Sequence, residues 1–483
     1  MRTKNTKDKI IFVKKFIEKY KKDIGVVLIL SICSGIIYFN LSNLINPEIF
    51  EYKNINTWFE SDIPRNFLNM TSRLSNHHRT SVHPLFPLFA YSPGLVFRKI
   101  FNFSLINTVR LVNTTYTMIW AGLFYLLFRI KGLKKIDSSI ITILALVSSS
   151  AIFWMTVPES FLLGSISIIF MLIIAALAEK RFLGTFWYTV GSFLTFSITV
   201  TNWMVGLLIS FIHNKFSNFI KVSLYAFSTV LILWKIQNFF IPSTKLFLLW
   251  EGEKNYFNNL DIENILLVIK SFFIHSMVMP SISYMDNSSK SYTSIQMTIQ
   301  NSSILPDTWL EGVSILLWIV ILSIGVINFF SIKMKTKFQA IIGILILGQL
   351  ILHILYGSET FLYSLNFLPL IIILASYSFK LNTRKLSLGL IAILIIVAGI
   401  NNYNKFNIAR NLYEPTFTPR QITLNRMKLS PEDPWPRGEG HTILALPGSL
   451  DTNKAFSSHV TKSEVWDIFP KSININQYLY AVD

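Results

Sequence analysis

Between Trp58 and Gly94 the chain reads WFESDIPRNFLNMTSRLSNHHRTSVHPLFPLFAYSPG. Glu60, Asp62, Arg65, Arg73 and Arg79 crowd into it, with three of the eight histidines, His77, His78 and His83. A carboxylate at an interface can take a proton from a hydroxyl, and guanidinium groups offer forked donors to an anion. Their spacing is helical. Ser61 can cap a helix with Pro64 in its first turn, where a missing N–H does no harm. Ile63, Phe67, Met70 and Leu74 then form an apolar stripe, and Asp62, Arg65, Asn69 and Arg73 fall on the other side. Such a helix would lie in the membrane interface and present one acid and two bases. A solvated face carrying an Asp62–Arg65 ion pair accounts for the same pattern.

The polar run Asn76-His77-His78-Arg79 leads into HPLFPLFAYSPG, whose prolines at 84, 87 and 93 predict a bent path along the membrane surface that holds His83 in place. His83 is either functional or a packed interface histidine. His77 and His78 are adjacent and a further ligand would be distant, so the spacing is a weak metal signal. Two more carboxylates stand in very short connections, Glu159 between Pro158 and Ser160 and Glu359 after Gly357-Ser358. A tight turn uses Pro or Ser and has no need of Glu.

The elements that must position these groups are membrane helices. Of the 483 residues 52% are hydrophobic, 40 are Phe and 14% are charged, and the mean hydropathy is +0.47. A soluble chain could not hide that much apolar surface. The net charge of +18 sits in short loops between apolar runs, which is topology and not a nucleic-acid face. Cys33 is the single cysteine, which excludes an internal disulfide framework and a cysteine zinc site. Ile32 before it argues against a lipoprotein signal, and the first apolar run is too long for a signal-peptide core.

Apolar stretches predict an all-α polytopic membrane protein of about eleven spans. These are 24–44, 105–129, 136–156, 161–178, 184–201, 203–212, 220–241, 312–332, 338–356, 361–379 and 386–402. The basic N-terminal segment and the connections 130–135, 179–183, 213–221, 333–337 and 380–385 then all fall on the cytoplasmic side. The first long loop, 45–104, and the second, 242–311, fall outside, as does the C-terminus. No Asp or Glu falls near the middle of a span, which argues against ion-coupled transport. Gln349 and His353 are polar exceptions, read as helix-packing hydrogen bonds, with substrate contact as the alternative. Within 242–311, an amphipathic piece from Leu260 to Met279 should lie along the interface, and 281–303 reads as a Ser/Asn/Thr-rich loop. Residues 1–402 form the membrane domain, and 403–483 a small outer domain with at least one strand.

A span, a long loop with an acid, an interfacial helix and a His-Pro segment before the second span resemble the polytopic GT-C glycosyltransferases. The protein mannosyltransferases and the aminoarabinose transferases are the relevant branches. The resemblance implies that Asp62 matches the first-loop acid that acts at the acceptor, that His83-Pro84 matches the mannosyltransferase His-Pro pair, and that Glu159 matches an acid of the second outer loop. Phe361-Leu362-Tyr363-Ser364 with Pro369 is similar to the aromatic-and-proline start of a late span. The chain departs from the family in having Glu60-Ser61-Asp62 in place of an Asp-Glu pair, and one proline after the histidine in place of two.

By that resemblance the donor is a sugar on a polyprenyl phosphate, and the acceptor is a hydroxyl on a glycan, lipid or protein. Asp62 or Glu159 would be the base, and Asp62 would be tuned toward neutral pKa by partial desolvation. Arg65, Arg79, His78 and His83 would bind the donor phosphate, unless a divalent metal supplies that charge. His77, Glu60, Glu359 and Tyr363 would serve the acceptor or the structure. The high Ile, Lys and Asn content suggests an AT-rich bacterial genome, hence an undecaprenyl carrier and an inner, plasma-membrane location. A lipid-linked sugar flippase or a non-catalytic assembly protein is the alternative reading.

Overall fold

Long apolar runs have to bury their backbone polar groups internally once they leave water, and helices do so within one segment. The computed structural model describes residues 21, 23–51, 54–247, 256–258, 260–286, 295–303, 305–331, 336–380 and 382–413. Its helices, in order, are α1 (Ile24–Asn43), α2 (Ile63–Thr71), α3 (Phe86–Phe101), α4 (Leu105–Lys131), α5 (Lys135–Leu146), α6 (Ser149–Trp154), α7 (Ser160–Ala178), α8 (Thr185–Ile198), α9 (Trp203–His213) and α10 (Phe216–Phe240). After α11 (Ile262–Lys270), two short strands, β1 (Ser283–Asp286) and β2 (Ile295–Thr298), pair antiparallel. Four helices follow: α12 (Trp309–Ser331), α13 (Lys337–Leu355), α14 (Ser364–Ser376) and α15 (Arg384–Arg410).

Eight helical stretches are long and apolar enough to cross a membrane: α1, α4, α7, α10, α12, α13, the run Thr360–Phe379 around α14, and Arg384–Tyr413 around α15. This is an all-α polytopic membrane protein. All eleven apolar stretches of the sequence are helical, but three fall short of a span by length. Helices α8 and α9 have 14 and 11 residues, about 21 and 17 Å at ~1.5 Å per residue, against ~30 Å of hydrocarbon. The stretch 136–156 divides into α5 and α6. Ser148 caps the second piece, its hydroxyl accepting from the Ala151 amide at 3.2 Å. The amides of Ser149 and Ser150 donate to the carbonyls of Met277 and Ser276, and Asn402 bridges Val147 and Met277 with its amide group.

The buried centre is α7 and α14; every residue of α14 is buried. Gly325 lets α12 meet α14, since a Cβ there would stand 2.5 Å from the Leu374 carbonyl oxygen. All five basic connections meet at one end of the bundle. Lys131 pairs with Glu179 at 2.8 Å, Glu179 accepts from the Phe338 amide, Lys337 reaches the Ile212 carbonyl and Arg384 pairs with Asp137 at 2.8 Å.

The other connections pack into a polar cap, and there the structure departs from the sequence expectations. Eight of the nine residues of α2 are buried, so this helix is enclosed by protein instead of lying in the interface. Asp62, and not Ser61, is its N-cap residue. Phe86 to Phe101 is one helix that continues through Pro93. Proline has no N–H to give the Phe89 carbonyl, and the Tyr116 hydroxyl donates to that carbonyl in its place. Part of 281–303 is β1 and β2 and not loop. Helix α15 runs past 402 to Arg410, so no break separates a domain there, and the expected β-containing segment lies outside the described residues beyond 413.

Candidate active site

The cap is organised by a strained turn. Asn56, Phe59 and Glu60 all have left-handed backbone, with φ of 63°, 48° and 61°. Such conformations cost non-glycine residues ~1–2 kcal/mol each and persist only where surroundings impose them. Here the aromatic side chains impose them. Trp58 and Phe59 are buried, and Phe59 packs edge-on against Phe153, Trp154 and Phe361. The turn closes through the Asn56 amide to the Ser61 carbonyl at 3.0 Å and delivers Glu60 and Asp62 to a cavity of about 620 Å³.

Asp62 Oδ2 accepts from Arg65 Nη1 at 2.7 Å and lies 3.6 Å from Arg79 Nε. Burial alone would raise this carboxyl, but Arg65 and Arg79 foremost, with His78 and His83, outweigh it and hold Asp62 below its ordinary value. The expectation of a base tuned toward neutrality is therefore reversed: Asp62 is ionised throughout the physiological range. Arg79 lines the cavity with Asp62, whereas Arg65 and His78 are not part of its wall. Arg73 is exposed and plays no part there.

His83 also lines the cavity. The backbone on both sides of it is pinned, Val82 accepting from the Val200 amide at 3.0 Å and Leu85 donating to Ser197 at 2.8 Å. Gln237 braces the next turn by donating to Pro84 and accepting from Leu88. The His83 Nδ1 stands 2.9 Å from the Ile198 carbonyl, which sets the protonated nitrogen, and Nε2 lies 3.4 Å from the Ser160 hydroxyl. Burial first, then Arg79, pushes the imidazole down to about 4. His83 is thus a neutral hydrogen-bonding group and not a resting cation for phosphate.

Glu159 turns out to be a brace. Its Oε1 accepts from the Asp62 amide at 2.9 Å, and its Oε2 accepts from Asn66 Nδ2 at 2.8 Å and from the Ser160 amide at 3.1 Å. One carboxyl thereby locks the start of α2 to the start of α7. Burial, and then Asp62, pushes it up to about 8. Glu60 is similarly engaged, accepting from Gln296 Nε2 at 2.7 Å and from the Ser358 hydroxyl. Glu359 is not in the cavity wall; it accepts from Thr298 Oγ1 at 2.6 Å and the Ile299 amide, tying β2 to the turn before α14. His77 is fully buried with Nε2 3.0 Å from both the Ser75 hydroxyl and the Ser72 carbonyl, a structural histidine. Among the described residues no three His, Cys, Asp or Glu side chains gather as a metal cluster.

Sequence reading missed the rest of the wall. Tyr363 was expected, and it stacks on His353 with ring centroids 4.9 Å apart. His353 and Gln349, read as packing with substrate contact as the alternative, line the cavity, as do Tyr356, Asn202 and Asn366. Their four-residue spacing in the otherwise apolar run 340–355 of α13 was the available signal. The loop residues supply the charges of the cavity and Glu159 a further carboxyl, while α13 and α14 contribute only neutral groups.

Comparison with family models, with curated proteins and with solved structures finds no match to this chain. The class defined by the fold is a polytopic helical membrane protein with a polar cavity in its cap. That cavity can hold an anion against Arg79, orient a hydroxyl on the Asp62 carboxylate, and surround a neutral group with amides and aromatic rings.

Proposed function

We propose that this protein is a GT-C-type glycosyltransferase that moves a sugar from a polyprenyl-phosphate donor to an acceptor hydroxyl on the extracytoplasmic face of a plasma membrane. The observation that carries the reading is the convergence of ionised Asp62, Arg79 and neutral His83 in one cavity between the first long loop and the late helices. In this reading all eleven apolar helices are membrane-embedded, the N-terminus is cytoplasmic, and the C-terminus follows α15 to the outside.

The reaction is a displacement at the anomeric carbon. The acceptor oxygen forms the new C–O bond as the bond to the phosphate oxygen breaks, and polyprenyl phosphate leaves with the electron pair. Asp62 accepts the hydroxyl hydrogen bond and takes the proton as it is shed. A carboxylate held low is a weak base, which suits a displacement whose proton departs late, when the oxygen already carries positive charge. Arg79 faces the growing negative charge of the leaving phosphate, and Arg65 keeps Asp62 charged and fixed. Glu159 holds the Asp62 backbone, a positioning role in place of the alternative base.

The test is sugar transfer from undecaprenyl-phosphate hexoses to endogenous acceptors in membranes. Asp62→Asn should lower transfer by at least ~100-fold while the purified variant still binds donor lipid. Unchanged transfer would sink the assignment, and movement of the intact lipid-linked sugar across the membrane without bond cleavage would favour a flippase.

A further inference from the structure

Gln349 and His353 are both nearly fully buried, at 1% and 3% exposure, and both line the cavity. Among the described residues Gln349 Nε2 has no hydrogen-bond partner, and both nitrogens of the His353 ring lack a well-formed one, though the Tyr356 backbone lies close enough to act on the ring. Buried polar groups are almost always paired, so unpaired ones facing a cavity mark where a ligand's polar atoms belong. The ring is also rigidly held. Tyr363 stacks on one face of His353, and Phe367 meets it edge-on at 5.4 Å. Gly357, with φ of 94°, lets the turn close over Tyr363, where a Cβ would stand 2.7 Å from the ring.

The chemistry of the ligand follows from that of the wall. An amide N–H and an imidazole without a neighbouring full charge suit hydroxyl groups, which both donate and accept. A phosphate would go to Arg79, and a polyprenyl chain would leave the amide unserved. Tyrosine rings beside such groups give an apolar platform for the C–H face of a sugar. We propose that Gln349 and His353 form a hydroxyl-recognising subsite that holds the neutral sugar ring of the donor against Tyr363, an inference that rests on the donor reading above.

Binding to the purified full chain in detergent tests it, with bare undecaprenyl phosphate and the same lipid carrying glucose, mannose or N-acetylglucosamine as probes. At least one sugar should tighten binding to the wild type by ~10-fold or more over the bare lipid. Gln349→Leu and His353→Phe should each abolish most of that increment and bind the bare lipid as the wild type does. The unfolding midpoint of Gln349→Leu should not fall, because its amide nitrogen has no partner to lose. If no sugar adds affinity, if the increment survives both substitutions, or if Gln349→Leu lowers the midpoint, the subsite is wrong while the donor reading stands. A wild type that binds neither bare nor sugar-bearing lipid overturns both.

Discussion

Asp62 was legible from its sequence setting, but its charge state was not. Spacing alone gives the Arg65 pair three residues on; Arg79 arrives only through the fold, and the two together reverse the direction in which burial would move the carboxyl. The consequence is a kinetic expectation: kcat/KM should stay flat as pH falls from about 8 to 5, because the acid limb of a lowered carboxyl lies below the ordinary ~3.9. Arg79→Gln should move that limb upward into the measurable range, and a limb unaffected by the substitution would mean another group titrates. Glu159 carries the opposite sign. Its pKa is raised to about 8, so the folded state keeps a proton that the unfolded chain loses near 4.5; the stabilisation is complete below that value and drains away as pH rises toward about 8. Above the ordinary histidine value of ~6.5 the midpoint of thermal unfolding of the wild type should therefore decline toward pH 8; below it the buried His77 and His83, held neutral in the fold, act in the opposite direction. Glu359, raised to about 7 by burial, contributes in the same direction, so Glu159→Gln should flatten the decline without erasing it. Why Glu159 looked catalytic in sequence is clear: a glutamate with no local job in a turn has a distant one, and here that job is holding the Asp62 and Ser160 amides.

Among the elements, hydrophobic run length located the helices of the eleven apolar stretches, because such stretches have few alternatives in a membrane, but it missed α3, whose prolines read as a bend. What it could not show is where a run breaks. Ser148-Ser149-Ser150 is tolerable inside an apolar stretch only because the 276–279 segment and α15 supply partners, and nothing near 148 announces them. Asn402 is the hinge of that arrangement. Its Oδ1 accepts from the Met279 amide and from Asn401, and its Nδ2 donates to Val147 and Met277. Asn402→Leu strands several buried backbone groups and should cost on the order of 3 kcal/mol, read as a lowered unfolding midpoint in detergent. Gly325→Leu should be as damaging for a different reason, since the Leu374 carbonyl it would strike belongs to the fully buried α14 and cannot swing aside. The strands at 283–286 and 295–298 were missed because their four-residue lengths carry no periodicity; long-range bonds, from Met297 to Thr57 and from Thr298 to Glu359, decide their conformation.

For the whole molecule, the two ends differ in kind, and the difference makes orientation testable. One end gathers the five basic connections through Lys131, Glu179, Lys337 and Arg384; the other gathers the cavity, the strands and the strained turn. Positive charge is retained on the cytoplasmic side of a plasma membrane, so the proposed function requires the basic end to face inward and the cavity to open to the side where lipid-linked sugars are used. The chain has a single cysteine, Cys33, which can be replaced by Ala to leave a background without thiols. Phe182, 94% exposed among the basic connections, and Leu305, 77% exposed beside the strands, are then natural reporter positions. In intact cells a membrane-impermeant maleimide should label Leu305→Cys and spare Phe182→Cys, and permeabilisation should make both reactive. The reverse pattern would place Asp62 and Arg79 in the cytoplasm and end the extracytoplasmic transfer reading, even if the cavity still bound a sugar lipid. Equal labelling before permeabilisation would put 182 and 305 on one side, with α8 and α9 together making one crossing before that of α10; a re-entrant α8–α9 pair leaves α10 as the single crossing and the expected pattern unchanged.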